Sequence, residues 1–282
     1  MLVTMKEILI KAKEGGYGVT APNINNEDTL RAAIEAAEEM HAPMILDVGY
    51  SSNPDIVFFG RMCESLAKES NVPVCINQDH GSTFESAIWC IRAGFTSIMV
   101  DRSSKSFEEN ISEVAELTRI AHAVNVSVEA ELGHVGEGLH YDSDRNAALT
   151  DPILAKEFVE RTGIDCLAVA IGTAHGEYSG TPYLDFDLLE KIRSNVSIPL
   201  VLHGGSGTGD ENLARATRNG ISKVNLATDL YKSGAFRWND NGGKSGSCIN
   251  ASIGYEYIKD GYKDMLKHYI KLFDQADKAW YR

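Results

Sequence analysis

The 282-residue chain is 43% hydrophobic and 24% charged, the balance of a soluble globular protein long enough for one large α/β barrel or two ordinary domains. Its net charge of -13, from 27 Lys+Arg against 40 Asp+Glu, disfavours a nucleic-acid backbone or an anionic membrane as partner, but not a small anionic substrate held in a locally basic site. The first ten residues are too polar for a secretory signal, no apolar run approaches the roughly 20 residues that cross a bilayer, and Cys63, Cys75, Cys90, Cys166 and Cys248 lack CxxC spacing, so reduced, buried thiols in a cytoplasmic protein are expected.

Thr4 followed by Glu7 resembles a helix capping box. Short β-rich runs then alternate with amphipathic stretches. Strands are expected at 17–23, 44–48, 73–77, 97–101, 126–132, 166–171, 199–202 and 223–226. Each is followed by a helix-like segment, and eight such units are what a closed (β/α)₈ TIM barrel requires. Asn26 can cap the second helix. Asp151-Pro152 supplies an N-cap with proline at the first helical position, and Asp210 can cap a helix that Gly220 ends. An open doubly wound sheet is the alternative, weakened because no first strand leads into a Gly-x-Gly-x-x-Gly turn.

No linker divides the chain, so residues 1–282 read as a single barrel domain. Residues 239–282 add a Gly/Asn/Ser loop and a C-terminal helical extension. The longest loop inside the barrel, 133–149, holds three glycines and two histidines. Loops of that length in a compact domain are usually functional or disordered.

Three of the eight histidines precede glycine: His80-Gly81, His175-Gly176 and His203-Gly204. Average glycine usage predicts roughly one such pair by chance. All three lie past the carboxyl end of an expected strand, the third, sixth and seventh, where barrel enzymes build their sites. Any one alone reads best as a hydrogen-bonded strand-end residue. Three at matching positions read as neutral imidazoles converging on Zn²⁺ with a fourth position open. His134 and His140 lie in the long loop and could be spare ligands, whereas His41, His122 and His268 look like surface helix residues. Asp79 is a candidate orienter or general acid/base, although strand alternation should turn it away from its neighbour His80.

Residues 126–132 alternate with period two, so Glu129 and Glu131 share a face. Like charges inside a barrel repel unless a cation sits between them. Glu129 is therefore expected to pair with Lys223 of the eighth strand, leaving Glu131, nearer the carboxyl end, to reach the metal region. After the seventh strand comes His203-Gly204-Gly205-Ser206-Gly207, and Asn225-Leu226-Ala227-Thr228 closes the eighth. Those two loops commonly cradle phosphate in this fold, with backbone N–H groups and the Ser206 and Thr228 hydroxyls as donors.

These motifs, with Asn23-Ile24-Asn25, Asp79-His80-Gly81, Ser127-Val128-Glu129-Ala130-Glu131-Leu132-Gly133, Ala170-Ile171-Gly172-Thr173-Ala174-His175-Gly176 and Lys223-Val224-Asn225, resemble the class II (zinc-dependent) fructose-bisphosphate and tagatose-bisphosphate aldolase family from residue 4 to 229. The resemblance implies zinc on His80, His175 and His203, Asp79 as general acid/base and Glu131 as an alternative metal contact. It implies a dihydroxyacetone phosphate moiety held by Gly176, Gly204, Ser206, Asn225, Ala227 and Thr228, with Asn23 and Gly205 beside it. It further implies a monovalent cation (Na⁺ or K⁺) near the phosphate and a homodimer or homotetramer. The implied reaction is reversible cleavage of a ketose 1-phosphate or ketose bisphosphate into dihydroxyacetone phosphate and an aldehyde through a zinc-stabilised enediolate. Glu137 is the candidate for the family's loop glutamate, although this loop is shorter and lacks the paired acidic residues. Ala227 replaces an aspartate of the fructose-bisphosphate enzymes, Gln78 a frequent leucine and Pro22 a usual phenylalanine. Between Asp229 and Tyr281 the sole arginine is Arg237, so no evident residue grips a second phosphate. A metal-dependent hydrolase on the same barrel is the competing enzyme class, disfavoured because the first strand lacks His-x-His. A catalytically silent sugar-phosphate-binding protein is the third reading, opposed by retention of Asp79 with all three histidines.

Overall fold

The computed structural model describes residues 1–140, 149–246 and 250–281. Eight parallel strands form the sheet: β1 Val19–Pro22, β2 Met44–Gly49, β3 Val74–Gly81, β4 Ser97–Val100, β5 Ser127–Leu132, β6 Cys166–Val169, β7 Leu200–Leu202 and β8 Ile221–Leu226. Their spatial order is β1-β8-β7-β6-β5-β4-β3-β2. A bridge between Asn23 and Asp47, with Ile24 N donating to Asp47 O at 2.9 Å, joins β1 to β2 and closes the ring. The helices are α1 Met5–Gly15, α2 Glu27–Glu39, α3 Ile56–Glu69, α4 Phe84–Ala93, α5 Phe107–Ala123, α6 Pro152–Thr162, α7 Phe186–Asn195, α8 Asp210–Arg218, α9 Thr228–Asp240 and α10 Ala251–Leu272. The chain is a (β/α)₈ TIM barrel with additional C-terminal helices, as its strand spacing implies.

Local chemistry sets the helix starts. Thr4 and Glu7 form the expected capping box, Asn26 caps α2, and Asp151 caps α6 with Pro152 at its first position. The expectation that Asp210 caps α8 is corrected. Gly209, at φ +89°, occupies the cap position, and the Asp210 carboxylate pairs with His268 of α10 at 2.9 Å instead of turning back on its own helix.

Two apolar layers hold the barrel. Leu46, Val74, Ile98, Val128, Leu167 and Leu202 point outward under the helices. Val19, Ile45, Cys75, Met99, Cys166 and Val201 point inward, and Met5, Ile8, Leu9 and Ala12 of α1 plug the amino-terminal mouth beneath them. The apolar floor carries two charged side chains in its own layer, because Glu129 is in register with Met99 and Cys166, and Lys223 with Val19 and Val201. Cys63, Cys75, Cys90 and Cys166 are buried free thiols, while Cys248 lies outside the described residues. No helix among the described residues is long and apolar enough to cross a membrane.

α10 lies along α2, where Lys259, Lys263 and Lys267 face Glu35 and Glu39 at 2.7–3.4 Å. Its inner side buries Leu266, Ile270 and Phe273. The hydroxyls of Tyr231 (α9) and Tyr262 (α10) both donate to Asn23 O, at 2.9 and 2.8 Å, and so tie the C-terminal helices to the rim of β1.

Candidate metal and substrate site

β3 and β4 lose register between Gln78 and Gly81, and His80 there adopts a left-handed backbone, φ +46°. Such a conformation costs a non-glycine residue of order 1–3 kcal/mol and persists only where the surroundings impose it. The irregularity overrides strand alternation. Adjacent Asp79 and His80 both enter the site, with Asp79 Oδ1 3.9 Å from His80 Nε2, where a regular strand would send them apart. The next residue must be small, because a Cβ on Gly81 would stand 2.4 Å from Met99 O.

His203 follows β7. His175 stands on a two-residue strand, Ala174–His175, paired with Gly136–Glu137 rather than on β6 itself. The ligand nitrogens of His80, His175 and His203 lie within 4.8 Å of one another. Their rings meet edge to face at centroid distances of 4.7, 4.8 and 5.8 Å. His80 Nδ1 is taken by Asp101 Oδ2 at 2.8 Å and His203 Nε2 by Glu129 Oε1 at 2.8 Å. The nitrogens left over, His80 Nε2 and His203 Nδ1, face each other at 2.9 Å. His80, Asp101 and Glu131 form a second, overlapping group of possible ligands.

The site fits a divalent ion. Glu131 Oε2 is buried with no hydrogen-bond partner, 4.0 Å from His203 Nδ1. Burial pushes the Glu131 carboxyl up, and the neighbouring histidine charges only partly offset it. Burial also opposes protonation of His80, yet Asp79, Asp101 and Glu131 together hold that imidazole up to about 10. His175 falls to about 3, through burial first and then the nearby His203 and His80 charges. Asp79 is held at about 2: burial alone would raise it, and His80, His203, Lys223 and the Asn23 amide prevail. Within this cluster of described residues, the carboxyl groups of Asp47, Asp79, Asp101, Glu129 and Glu131 face one ammonium, Lys223. An excess of carboxylates around converging imidazoles is the electrostatic complement of a cation.

Behind the histidines, Lys223 Nζ donates to Glu129 Oε2 at 2.7 Å, the pairing expected from strand alternation. It also meets Asp47 Oδ2 at 3.2 Å, and Asn77 Nδ2 donates to Asp47 Oδ1 at 2.8 Å. Asp47, Asn77 and Asp101 were not identified from the sequence. The signal that could have found Asp47 is a lone carboxylate inside the otherwise apolar Met44–Gly49; for Asp101 it is a strand-end position like that of His203. His134 sits at the rim, its Nδ1 2.9 Å from Ser103 Oγ and 3.8 Å from Glu131 Oε1.

Asp79 accepts from Asn23 Nδ2 at 2.7 Å and from Asn225 Nδ2 at 3.2 Å. Beside it lies the glycine-rich turn after β7. Gly205 N donates to Asn225 O at 3.1 Å, while Ser206 Oγ accepts from Ala227 N at 3.1 Å and Asp229 N at 3.2 Å. Ala227 has no capping side chain of its own, so Ser206 caps α9 from a neighbouring loop. Thr228 is the first residue of α9, and the N–H groups of a helix's first turn have no acceptor inside it. Gly204, Gly205, Ser206, Asn225, Ala227 and Thr228 thus lie together at a helix N-terminus, and Asp79 joins Asn23 to Asn225 beside them. Gly176, at φ +79°, has open space around it at the same rim. Glu137 is exposed, its backbone in register with His175. His140's side chain and most of the loop after it lie outside the described residues.

Gly204 shows how tightly the two ligand loops pack. Its φ is +67°, and a Cβ there would stand 2.2 Å from Ala174 O. Gly204→Ala is expected to destabilise the fold by about 2 kcal/mol or more, summing the left-handed penalty and the clash. Urea unfolding measures this; a midpoint unchanged from the wild type would contradict the packing.

A parallel barrel with three imidazoles and a clustered set of carboxylates at its carboxyl end defines a TIM-barrel protein with a site that could hold a metal ion, beside the N-terminus of α9. The model of the class II fructose-bisphosphate aldolases matches residues 3–278, and the chain belongs to that family. A fructose-bisphosphate aldolase of Thermus caldophilus is 39% identical, in an alignment spanning 99% of this chain and all of the relative. The crystal structure of the YdjI aldolase from Escherichia coli K12 superposes with a TM-score of 0.89 at 34% identity, covering 99% of this chain and all of that one. The fructose-bisphosphate aldolase of Campylobacter jejuni, 21% identical with a TM-score of 0.81 over 98% of this chain and 96% of its own, shares the fold.

Proposed function

We propose that this chain is a zinc-dependent carbon–carbon lyase that reversibly cleaves a ketose 1-phosphate or ketose bisphosphate, tagatose-bisphosphate-like or related, into dihydroxyacetone phosphate and an aldehyde. The observation that carries the reading is the gathering of the His80, His175 and His203 nitrogens within 4.8 Å, next to an Asp79 carboxylate and a helix N-terminus. Zn²⁺ held by these three imidazoles, with Glu131 as alternative contact, would supply a Lewis acid that draws off the negative charge left beside the carbonyl when the bond breaks.

The chain's own residues do the rest. Asp79, ionised well below neutrality, takes the proton from the substrate hydroxyl during cleavage and returns it during condensation. Asn23 and Asn225 hold that carboxylate by both oxygens. Glu137, exposed on the strand beside His175, is the candidate for proton transfer at the nucleophilic carbon. Gly176, Gly204, Gly205, Ser206, Asn225, Ala227 and Thr228 bind the phosphate of the three-carbon fragment, with a monovalent cation (Na⁺ or K⁺) nearby.

Arg237 is engaged with Asp264 at 2.8 Å and Lys232 with Glu177 at 2.7 Å, so these cations do not by themselves argue for a second phosphate. A cytoplasmic homodimer or homotetramer, as the family resemblance implies, completes the proposal.

The test is solvent hydrogen exchange into dihydroxyacetone phosphate by the zinc-loaded protein, first alone and then with phosphorylated, sulfonated and neutral aldehydes. Exchange without aldehyde is expected; its absence, together with no condensation product, rejects the assignment. Ser206→Ala is expected to raise KM for a phosphorylated ketose by about tenfold or more, the worth of one charge-assisted hydrogen bond, with a smaller change in kcat. An unchanged KM would remove Ser206 from the cradle.

A further inference from the structure

Glu129 and Lys223 are wholly buried and reach no position where substrate could touch them, yet they are linked to a candidate ligand. We propose that they are positioning residues: the Lys223–Glu129 pair locks His203 in the tautomer protonated at Nε2, which leaves the Nδ1 lone pair aimed at the metal position. This rests on the metal-site reading above.

The argument is one of donor and acceptor counts. Lys223 carries only donors, so the Glu129 oxygen facing it at 2.7 Å must accept. The other Glu129 oxygen also accepts, because a carboxylate has no proton to give, and it lies 2.8 Å from His203 Nε2. That nitrogen must therefore carry hydrogen, so in the neutral form of the ring, the form that binds a metal, the lone pair is on Nδ1. Nδ1 is the atom that faces His80 Nε2 at 2.9 Å. His80 is oriented in the opposite sense, with Nδ1 toward Asp101 and Nε2 inward. The two rings thus present different nitrogens to one point, each set by its own carboxylate. The Lys223 contact also keeps Glu129 from turning away, and Asp47, braced by Asn77, holds Lys223 from its other side.

The lock makes an unusual forecast for Glu129→Gln. Lys223 would claim the amide oxygen, so the NH₂ would face His203 Nε2. Nε2 must then accept, the ring proton moves to Nδ1, and the ligand lone pair is lost. Glu129→Gln combined with Lys223→Met frees the amide to turn its oxygen to His203 and restores the original tautomer. The charge count stays matched in both variants, because Asp47 can serve Lys223 in the first, and its carboxyl, pushed up by burial, can stand neutral in the second.

The experiment is ¹⁵N NMR of the histidine rings in the metal-free full chain, with Zn²⁺ affinity measured by competition against a chromophoric chelator. The wild type is expected to show His203 as Nε2–H, Glu129→Gln as Nδ1–H with Zn²⁺ binding about 10- to 100-fold weaker, and the double variant as Nε2–H with most of the affinity regained. Wild-type His203 protonated at Nδ1 overturns the proposal, as does a Glu129→Gln protein whose tautomer and affinity match the wild type. If Glu129→Gln does not fold, the wild-type spectrum and the double variant still decide it. A wild type that binds no Zn²⁺ at all would instead reject the metal-site reading, a failure separable from that of the lock.

Discussion

Asp79→Ala is expected to keep its metal and lose carbon–carbon cleavage by about 10²- to 10⁴-fold, the usual worth of a positioned general acid or base. Asp79 is not one of the three converging nitrogens; its Oδ1 stands 3.9 Å from His80 Nε2. The imidazoles are oriented by Asp101 and Glu129 instead, so removing Asp79 leaves both anchors in place. What disappears is the proton acceptor, together with the partner of the Asn23 and Asn225 amides. These amides lie at the barrel mouth, where water can replace the lost bonds, so the fold should survive. Steady-state cleavage alongside Zn²⁺ content by atomic absorption separates the two effects. Near-normal cleavage in a metal-replete variant would remove Asp79 from the mechanism.

Metal removal is the second large effect. A chelator should abolish turnover and lower the melting temperature, and Zn²⁺ should restore both. The stability loss follows from mass action: an ion present at a thousandfold excess over its dissociation constant contributes about 4 kcal/mol, which is about 10 °C for a chain of this size. The electrostatics set the direction. Without the ion, one lysine faces five carboxyl groups, and the carboxylates around His80 hold its imidazole up to about 10 against burial. The buried, unpartnered Glu131 Oε2 is then uncompensated as well. Calorimetry with and without chelator reads the shift; a melting point and a turnover both insensitive to chelation would contradict a metal centre.

Much of this was legible in residue order. The eight strand positions follow from short β-rich runs separated by helical patterns, and the structure places every strand within a few residues of them. The Glu129–Lys223 contact was legible too, because alternation sends Glu129 and Glu131 into a barrel where only a cation can make them tolerable. Asp101, Asp47 and Asn77 were not, since a lone polar residue in a strand has no local pattern to say which neighbour it will meet. Alternation misled at one place. It predicts that Asp79 and His80 diverge, and the left-handed backbone at His80 turns both inward. The Asp210 cap failed for a related reason: a better partner, His268, arrives from 58 residues away.

By itself the sequence determined the barrel, the carboxyl-terminal rim to which the histidines belong, and the glycine-rich turn after β7. These depend on hydrophobic period and on turn chemistry, both local quantities. Only the tertiary structure decided which nitrogen of each histidine faces inward, which carboxylate holds it there, and that Ser206 caps α9 from another loop. Those choices are made by hydrogen bonds between residues 21 to 74 positions apart, in a buried interior where every donor must find an acceptor, and nothing in the local order of residues specifies that matching.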